Sequence, residues 1–125
     1  METKSYILVL EGDDLIRQLL ERWLGEGGYT VAAGDVERLR QHGASESPPS
    51  LVIVDLANPR SAAALIRSVQ AAHAAPIIGV SGRFRRGLGK SREAARRLGV
   101  SKLLPKPFTR EELLGAVREA IEGTG

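Results

Sequence analysis

Short apolar runs recur along the chain, separated by stretches with a helical pattern. Three of these runs have the length and apolar character of buried strands: Tyr6–Leu10, Leu51–Val54 and Pro76–Val80. A weaker run lies around Thr30–Ala33, and Leu103-Leu104 is short. The β-branched run Leu51–Val54 is typical of a parallel strand that is covered on both faces. The pattern therefore predicts five strands.

Between the strands, apolar residues recur at helical spacing. The clearest case is the segment 16–24, which follows the i, i+3, i+4, i+7 pattern of an amphipathic helix. The same spacing predicts helices over 62–69, near 92–98 and over 109–121, and weakly over 35–41. The last helix begins with a capping box formed by Thr109 and Glu112.

Alternating strands and helices without an internal repeat predict an α/β fold. We expect a doubly wound, five-stranded parallel sheet with helices on both faces. Residues 1–125 are expected to form one domain, because the chain is long enough for one core and short for two. In such a sheet, a functional site is expected where the strands end at their carboxyl edge.

Composition narrows the class of protein. Apolar residues make up 42% of the chain and charged residues 26%, which is ordinary for a globular domain. There is no cysteine, and therefore no disulfide or thiolate metal site. No apolar run is long enough to span a membrane, and the N-terminus lacks the apolar region of a secretory signal. We expect a cytoplasmic protein that does not bind membranes.

Positive charge is concentrated in one part of the chain. Residues 83–106 hold nine Lys or Arg and one acid, while the remainder carries a net charge of −5. The basic segment 83–97 is most simply a solvated face, and it also fits an acidic protein partner. Nucleic-acid binding is disfavoured, because Phe84 is the only aromatic residue in the segment and no recognition motif accompanies it.

Chemically informative residues follow four of the predicted strands. Glu11 and Asp55 follow the first and third strands, Ser81 the fourth, and the fifth runs on to Lys106. These side chains are expected to meet at the carboxyl edge of the sheet. Two carboxylates can hold a hard cation such as Mg²⁺, and a carboxylate can also form an aspartyl phosphate. Lysine and a hydroxyl then stabilise phosphoryl oxygens.

Four strings of the sequence resemble response-regulator receiver domains of two-component systems. They are ILVLE with LIR at 15–17, LVIVD with Pro59, VSG at 80–82 and PKPF at 105–108. The resemblance implies the flavodoxin-like strand order 2-1-3-4-5. It also implies that Asp55 is the phosphoacceptor, Ser81 the switch hydroxyl and Lys106 the phosphate-binding lysine. Glu11 matches the first residue of the family's acidic pair.

The same resemblance implies a function and a metal. The domain would take a phosphoryl group from a histidine kinase or phosphotransfer protein onto Asp55 and switch a protein-interaction surface. It would be a signalling phosphoacceptor rather than an enzyme, with at most self-catalysed phosphotransfer and dephosphorylation. Mg²⁺ would be held by Glu11, Asp55 and the Ala57 backbone carbonyl, with Asp13 as an additional candidate that is better suited to capping the first helix. The Lys106–Pro107 bond is expected to be cis.

Two departures from the family pattern support an alternative. Gly12 stands where the second acidic residue is usual, which predicts weakened Mg²⁺ binding. Leu103 replaces the aromatic residue that usually couples phosphorylation to the output face. The alternative is a degenerate pseudo-receiver that acts as a phosphorylation-independent interaction module. A flavin or nucleotide enzyme is disfavoured, because no glycine-rich phosphate loop follows the first strand.

Overall fold

Five strands and four helices make up the secondary structure that a computed structural model of the chain describes. It describes residues 6–34, 49–56, 59–81 and 88–122, including all side chains except those of 59–60 and 88–92. The weakly predicted helix over 35–41 lies outside these ranges. Numbered along the described chain, the strands are β1 (Ile7–Leu10), β2 (Val31–Ala33), β3 (Leu51–Asp55), β4 (Ile77–Ser81) and β5 (Lys102–Pro105). The helices are α1 (Asp14–Glu26), α2 (Pro59–Ala72), α3 (Leu88–Leu98) and α4 (Arg110–Glu122).

The strands form one parallel sheet in the order β2-β1-β3-β4-β5. This confirms the predicted sheet and its 2-1-3-4-5 order. All of β4 and the first four residues of β3 are buried, as expected for strands with a helical layer on each face. Asp55 pairs with Val80 and Ser81 with Pro105, so the ends of the central strands lie side by side.

The helices cover the sheet in two layers. Side chains of α1 and α4 pack with one face of the sheet, and those of α2 and α3 with the other. Within the described ranges, no helix is long and apolar enough to cross a membrane. The first core contains Ile7, Val9, Leu20, Leu24, Leu51, Ile53, Ile78, Val80, Leu104, Leu113, Ala116 and Val117. The second contains Leu10, Val52, Val54, Leu56, Ala62, Ile66, Val69, Ile77, Ala95, Val100 and Leu103.

Side-chain caps define where two helices begin. The Asp13 carboxylate accepts hydrogen bonds from the backbone N–H groups of Leu15 and Ile16, at 2.9 and 3.1 Å. At α4, the Glu112 N–H donates to Thr109 Oγ1 at 3.0 Å, and the Thr109 N–H donates to Glu112 Oε1 at 2.9 Å. The capping box predicted from the sequence is therefore confirmed.

Element boundaries differ from the sequence-based expectations in one substantial place. Helix α3 begins at Leu88, about one turn before the helix expected near Arg92. The apolar positions that define this helix, Ala95 and Leu98, lie in its second half, so its first turn has no periodic signal of its own. The Lys106–Pro107 bond is cis, as predicted.

Candidate functional site

Lys106 joins two carboxylates at the carboxyl edge of the sheet. Its ammonium Nζ lies 3.1 Å from Asp55 Oδ1 and 3.4 Å from Glu11 Oε1. The Lys106 and Asp55 side chains are 22% and 19% exposed, whereas that of Glu11 is 2% exposed. The fold thus brings together three residues that are 95 and 51 positions apart in the chain. The Asp55 carboxylate remains accessible from solvent.

Backbone pairing fixes the positions of these side chains. The Leu56 N–H donates to the Val80 carbonyl at 2.8 Å, which continues the β3–β4 pairing one residue beyond Asp55. The Lys106 N–H donates to the Ser81 carbonyl at 2.9 Å, which ties the end of β5 to the end of β4. Asp55 and Lys106 are therefore held by the sheet itself, and Ser81, 1% exposed, lies buried between their strands.

Glu11 is a buried carboxylate with two sources of stabilisation. Its Oε2 accepts a hydrogen bond from the Asp13 N–H at 3.1 Å, and its Oε1 accepts one from Lys106. Burial raises the pKa of Glu11, while the Asp13 hydrogen bond and the Lys106 charge oppose that rise. Asp55 adds a smaller like-charge contribution that also raises the pKa. The Lys106 ammonium is thus the positive charge that this pair of carboxylates shares.

The carboxylates of Glu11 and Asp55 suit a hard cation that takes few ligands from the protein. Glu11 and Asp55 contact the same ammonium, so both carboxylates face one small region. Mg²⁺ is commonly held by one or two carboxylates, with water or phosphate oxygens completing its coordination. In the described part of the chain, no group of three or more Asp, Glu, His or Cys side chains is arranged to hold a metal ion. Within the described residues, Glu11 and Asp55 are the two carboxylates at this edge that would suit such an ion.

The other predicted ligands have different placements. Asp13 is exposed, and its Oδ1 caps α1 through two backbone N–H groups. Ala57 lies outside the described residues, so its carbonyl stays a prediction. Gly12 is exposed, and a Cβ built on it would meet no atom within 4 Å. The space that a second acidic residue would occupy is therefore open.

Leu103 has a buried position in the second core. It is 3% exposed and pairs with Gly79 across β4–β5. A Cβ on Gly79 would lie 3.0 Å from Leu103 Cδ2 and 2.5 Å from Leu56 Cδ1, so only glycine leaves room for both leucines. Leu103, where the resemblance to receivers implies an aromatic residue, is thus a core residue on β5, beside β4.

Sequence reasoning located the four strand-end residues but missed two contacts. It did not anticipate that Lys106 would contact Glu11 as well as Asp55, nor that the Asp13 amide would hold Glu11. The first needs the tertiary arrangement, because it joins β1 to the segment after β5. The second had a local signal, since an N-cap two residues after Glu11 turns its N–H back toward the strand end.

Solved structures share this architecture over nearly the whole chain. A response regulator receiver protein from Burkholderia phymatum superposes with a TM-score of 0.77 at 21% identity, covering 98% of both chains. This chain has the fold of a response-regulator receiver domain. The signal receiver domain of an HD domain-containing protein from Pseudomonas fluorescens matches the receiver fold at 25% identity, with a TM-score of 0.69 and 96% coverage of both chains.

A third receiver structure bears on the metal. The receiver domain of a sensor histidine kinase from Pseudomonas aeruginosa was solved with a magnesium ion coordinated in its active-site cleft. It matches this receiver fold with a TM-score of 0.69 at 24% identity, covering 97% of this chain and all of that one. The family resemblance inferred from the four sequence strings is confirmed by these structures.

One curated protein is also similar in sequence. Protein PetR of Rhodobacter capsulatus is 30% identical over 112 residues, which cover 87% of this chain. The match covers 45% of PetR, so the chain spans less than half the length of that relative. No family model matches the sequence.

Proposed function

We propose that this receiver domain accepts a phosphoryl group on Asp55 from a phosphohistidine of a histidine kinase or phosphotransfer protein. The observation that carries the proposal is the contact of Lys106 Nζ with both Asp55 and Glu11, at 3.1 and 3.4 Å. A strand-end aspartate alone has many structural uses. An aspartate that is accessible to solvent and shares a lysine with a buried carboxylate has the charges that phosphoryl transfer requires.

The transfer exchanges one phosphorus bond for another. An oxygen of the Asp55 carboxylate attacks phosphorus, and the bond between phosphorus and the donor's imidazole nitrogen breaks. The nitrogen keeps the electron pair and takes up a proton, while Asp55 becomes an acyl phosphate. The protein itself contributes position and charge, which are the main protein contributions in this class of reaction.

Lys106 and Ser81 would bind the oxygens of the phosphoryl group once it is on Asp55. The Lys106 ammonium already lies at hydrogen-bonding distance from Asp55, so it can neutralise a phosphoryl oxygen with little movement. Ser81 ends β4 beside Asp55, and its hydroxyl can hydrogen-bond a second oxygen. A change of contacts at Ser81 and Lys106 would shift the surface around β4 and β5 between two states.

Mg²⁺ is the cofactor that the site residues suit. Glu11 and Asp55 would hold the ion, with the Ala57 carbonyl and Asp13 as further candidate ligands, and it would supply positive charge to the phosphoryl oxygens. The magnesium ion in the cleft of the Pseudomonas aeruginosa receiver supports this assignment. The affinity for Mg²⁺ should be low, because both carboxylates also contact the Lys106 ammonium and position 12 is a glycine rather than an acid.

Intact mass after incubation with Mg²⁺ and acetyl phosphate tests the proposal. The wild-type chain should gain one phosphoryl group that is stable in acid and released by base. Asp55→Asn should gain none, because an amide is not a nucleophile at this position. A matched control is Asp14→Asn, which removes a carboxylate that is 76% exposed and paired with Arg17. It should be labelled like the wild type.

Labelling of the Asp55→Asn variant to the wild-type level would place the acceptor elsewhere and refute the assignment. A wild-type chain that gains no phosphoryl group, even at high Mg²⁺, would favour the second candidate function. That candidate is an interaction module that works without phosphorylation. It is supported by the open position at Gly12 and by the burial of Leu103 in the core.

A further inference from the structure

The two helical layers of the domain carry opposite charge. Helices α2 and α3 together contain six Lys or Arg residues and a single acid, Glu93. Helices α1 and α4 together contain seven acids and four arginines. The sequence places its basic segment at 83–97, but the fold adds α2 to the same side of the sheet. One whole layer of the domain is therefore basic.

The two layers also differ in whether their described charged side chains form ion pairs. Among the described side chains, the ion pairs lie within or between α1 and α4, in the Lys102–Glu119 pair, or at the candidate site. Arg67 on α2 and Arg96 and Arg97 on α3 are exposed, and no described acid lies within ion-pair distance of them. Exposed cations grouped on one face attract an acidic partner.

Stabilisation of the helix dipole explains the positions of only some of these arginines. Arg96 and Arg97 lie in the last turn of α3, where positive charge is favourable to the helix dipole. Arg67 lies about one and a half turns before the end of α2 at Ala72, outside the last turn, where the dipole contributes less. The shortage of acids along both helices likewise has no explanation in helix stability, because acids near a helix N-terminus would be favourable.

The described part of this surface lies far from the acceptor site. Helices that connect parallel strands run antiparallel to them, so the carboxyl ends of α2 and α3 lie at the edge of the sheet opposite Asp55. The Gln70 side chain donates to the Gly99 carbonyl at 3.0 Å and joins these two helix ends. Arg67 lies one turn before Gln70, and Arg96 one turn before Gly99. The three arginines therefore share one end of the layer.

Small side chains flank Arg67 on the exposed face of α2, three or four residues from it along the helix. The exposed residues of α2 include three alanines, at 63, 64 and 71. Short apolar side chains flanked by cations suit the close approach of an acidic helix that has an apolar face. A nucleic-acid surface would instead carry polar groups and aromatic side chains for stacking, and α2 and α3 contain no aromatic residue.

We propose that the α2–α3 layer, centred on Arg67, Arg96 and Arg97, binds an acidic amphipathic helix of a partner protein. Glutamates of the partner contact the three arginines, and its apolar residues cover the alanines of α2. Binding at this end of the domain does not require Asp55. It therefore goes beyond the proposed phosphoacceptor function and can succeed or fail without it.

The test uses a synthetic probe peptide that repeats Glu-Leu-Leu-Glu-Glu-Leu, labelled with fluorescein. Fluorescence anisotropy at low salt measures its affinity for the wild-type chain and for two triple variants. Arg67→Gln/Arg96→Gln/Arg97→Gln should bind about tenfold more weakly, as expected for the loss of three surface contacts of modest strength. The matched variant Arg17→Gln/Arg22→Gln/Arg118→Gln removes the same charge from the opposite layer and should retain wild-type affinity.

Surface substitutions of this kind change stability little, so both variants should fold, which thermal melts would verify. An equal loss of affinity in the two variants would overturn the proposal, because net charge rather than this layer would then control binding. Absence of peptide binding to the wild-type chain would overturn it as well. If a DNA oligonucleotide of equal charge bound more tightly than the peptide, and the first variant lost that binding, the partner of this layer would be a nucleic acid and the proposal of an acidic helix would be overturned.

Discussion

At the scale of single residues, Lys106 and Gly12 have opposite effects on the same site. The Lys106 ammonium lies against two carboxylates, and its positive charge offsets part of the desolvation cost of burying them. Gly12 stands where the resemblance to receivers implies a second carboxylate beside Glu11. The site therefore combines Asp55, a lysine and a buried serine with a single carboxylate, Glu11, at the end of β1.

Gly12→Asp should strengthen Mg²⁺ binding about tenfold, because Mg²⁺ affinity depends on the number and charge of its oxygen ligands. The structure accommodates the change, since a Cβ at position 12 meets nothing within 4 Å and the backbone φ is not in the left-handed region. Titration of Mg²⁺ into both forms, followed by Trp23 fluorescence or calorimetry, measures the effect.

Gly12→Asn is the matched control, because it adds a side chain of the same size without the charge. It should bind Mg²⁺ more weakly than Gly12→Asp. Equal affinity of the wild type and Gly12→Asp would contradict the prediction and indicate that Glu11 or Asp13 already supplies the missing ligand.

His73 should make stability depend on pH. Its pKa is lowered from 6.5 by burial, and its Nδ1 is buried without a hydrogen-bond partner in the described structure. The folded state therefore disfavours the protonated form. Stability contributed by neutral His73 is fully present above the unfolded pKa of 6.5 and is lost as the pH falls below it toward the folded pKa.

Urea unfolding at about pH 7.5 and about pH 5, on the wild type and on His73→Gln, isolates this contribution. The wild type should lose stability relative to the variant at the lower pH. If the wild type instead gained stability relative to the variant on acidification, His73 would have a partner that favours its charged form.

At the scale of elements, β4 is the strand most constrained by its neighbours. All five of its residues are buried, and Gly79 at its centre lies under Leu56 from the end of β3 and Leu103 from β5. Those two leucines connect the end of β3, which carries Asp55, with β5, which leads to Lys106. A glycine here weakens the intrinsic preference for a strand, and the packing above it outweighs that loss.

Gly79→Ala should destabilise the fold by about 1–3 kcal/mol, the usual cost of overpacking a core. Its Cβ would lie 2.5 Å from Leu56 Cδ1, and both leucines are almost fully buried. Gly115→Ala in α4 is the matched comparison, because its Cβ meets nothing within 4 Å and alanine is the better helix former. It should stabilise by about 0.5–1 kcal/mol.

Chemical denaturation of the two variants decides this prediction. Opposite signs are expected for the same chemical change, since only the packing around each glycine differs. A neutral or stabilising Gly79→Ala would mean that Leu56 and Leu103 move aside at no cost.

At the scale of the whole molecule, the sheet separates two surfaces. Glu11, Asp55 and Lys106 meet at the carboxyl edge, while Arg67, Arg96 and Arg97 lie toward the opposite edge on one helical layer. With the two surfaces apart, the proposed phosphorylation of Asp55 and the proposed binding of an acidic helix would not compete for the same residues. The solved receiver structures it resembles include a receiver protein and the receiver domain of a sensor histidine kinase, so this fold works in more than one context.

Much of the fold was determined by the sequence alone, because its signals are local. Apolar runs such as Leu51–Val54 and the helical spacing from Ile16 to Leu24 define elements through contacts with the nearest core. The capping box at Thr109 and Glu112 marks a helix start within four residues. The strand-end positions of Asp55 and Lys106 followed from the same pattern, because parallel strands share one carboxyl edge.

Other features were decided only by tertiary structure. The contact of Lys106 with Glu11 joins segments 95 residues apart, and no local pattern encodes that distance. The start of α3 at Leu88 was not predicted either, because the apolar positions that define this helix, Ala95 and Leu98, come later in it. The basic layer exists because right-handed crossovers place α2 beside α3 on one face of the sheet, which brings Arg67 to the same surface as Arg96.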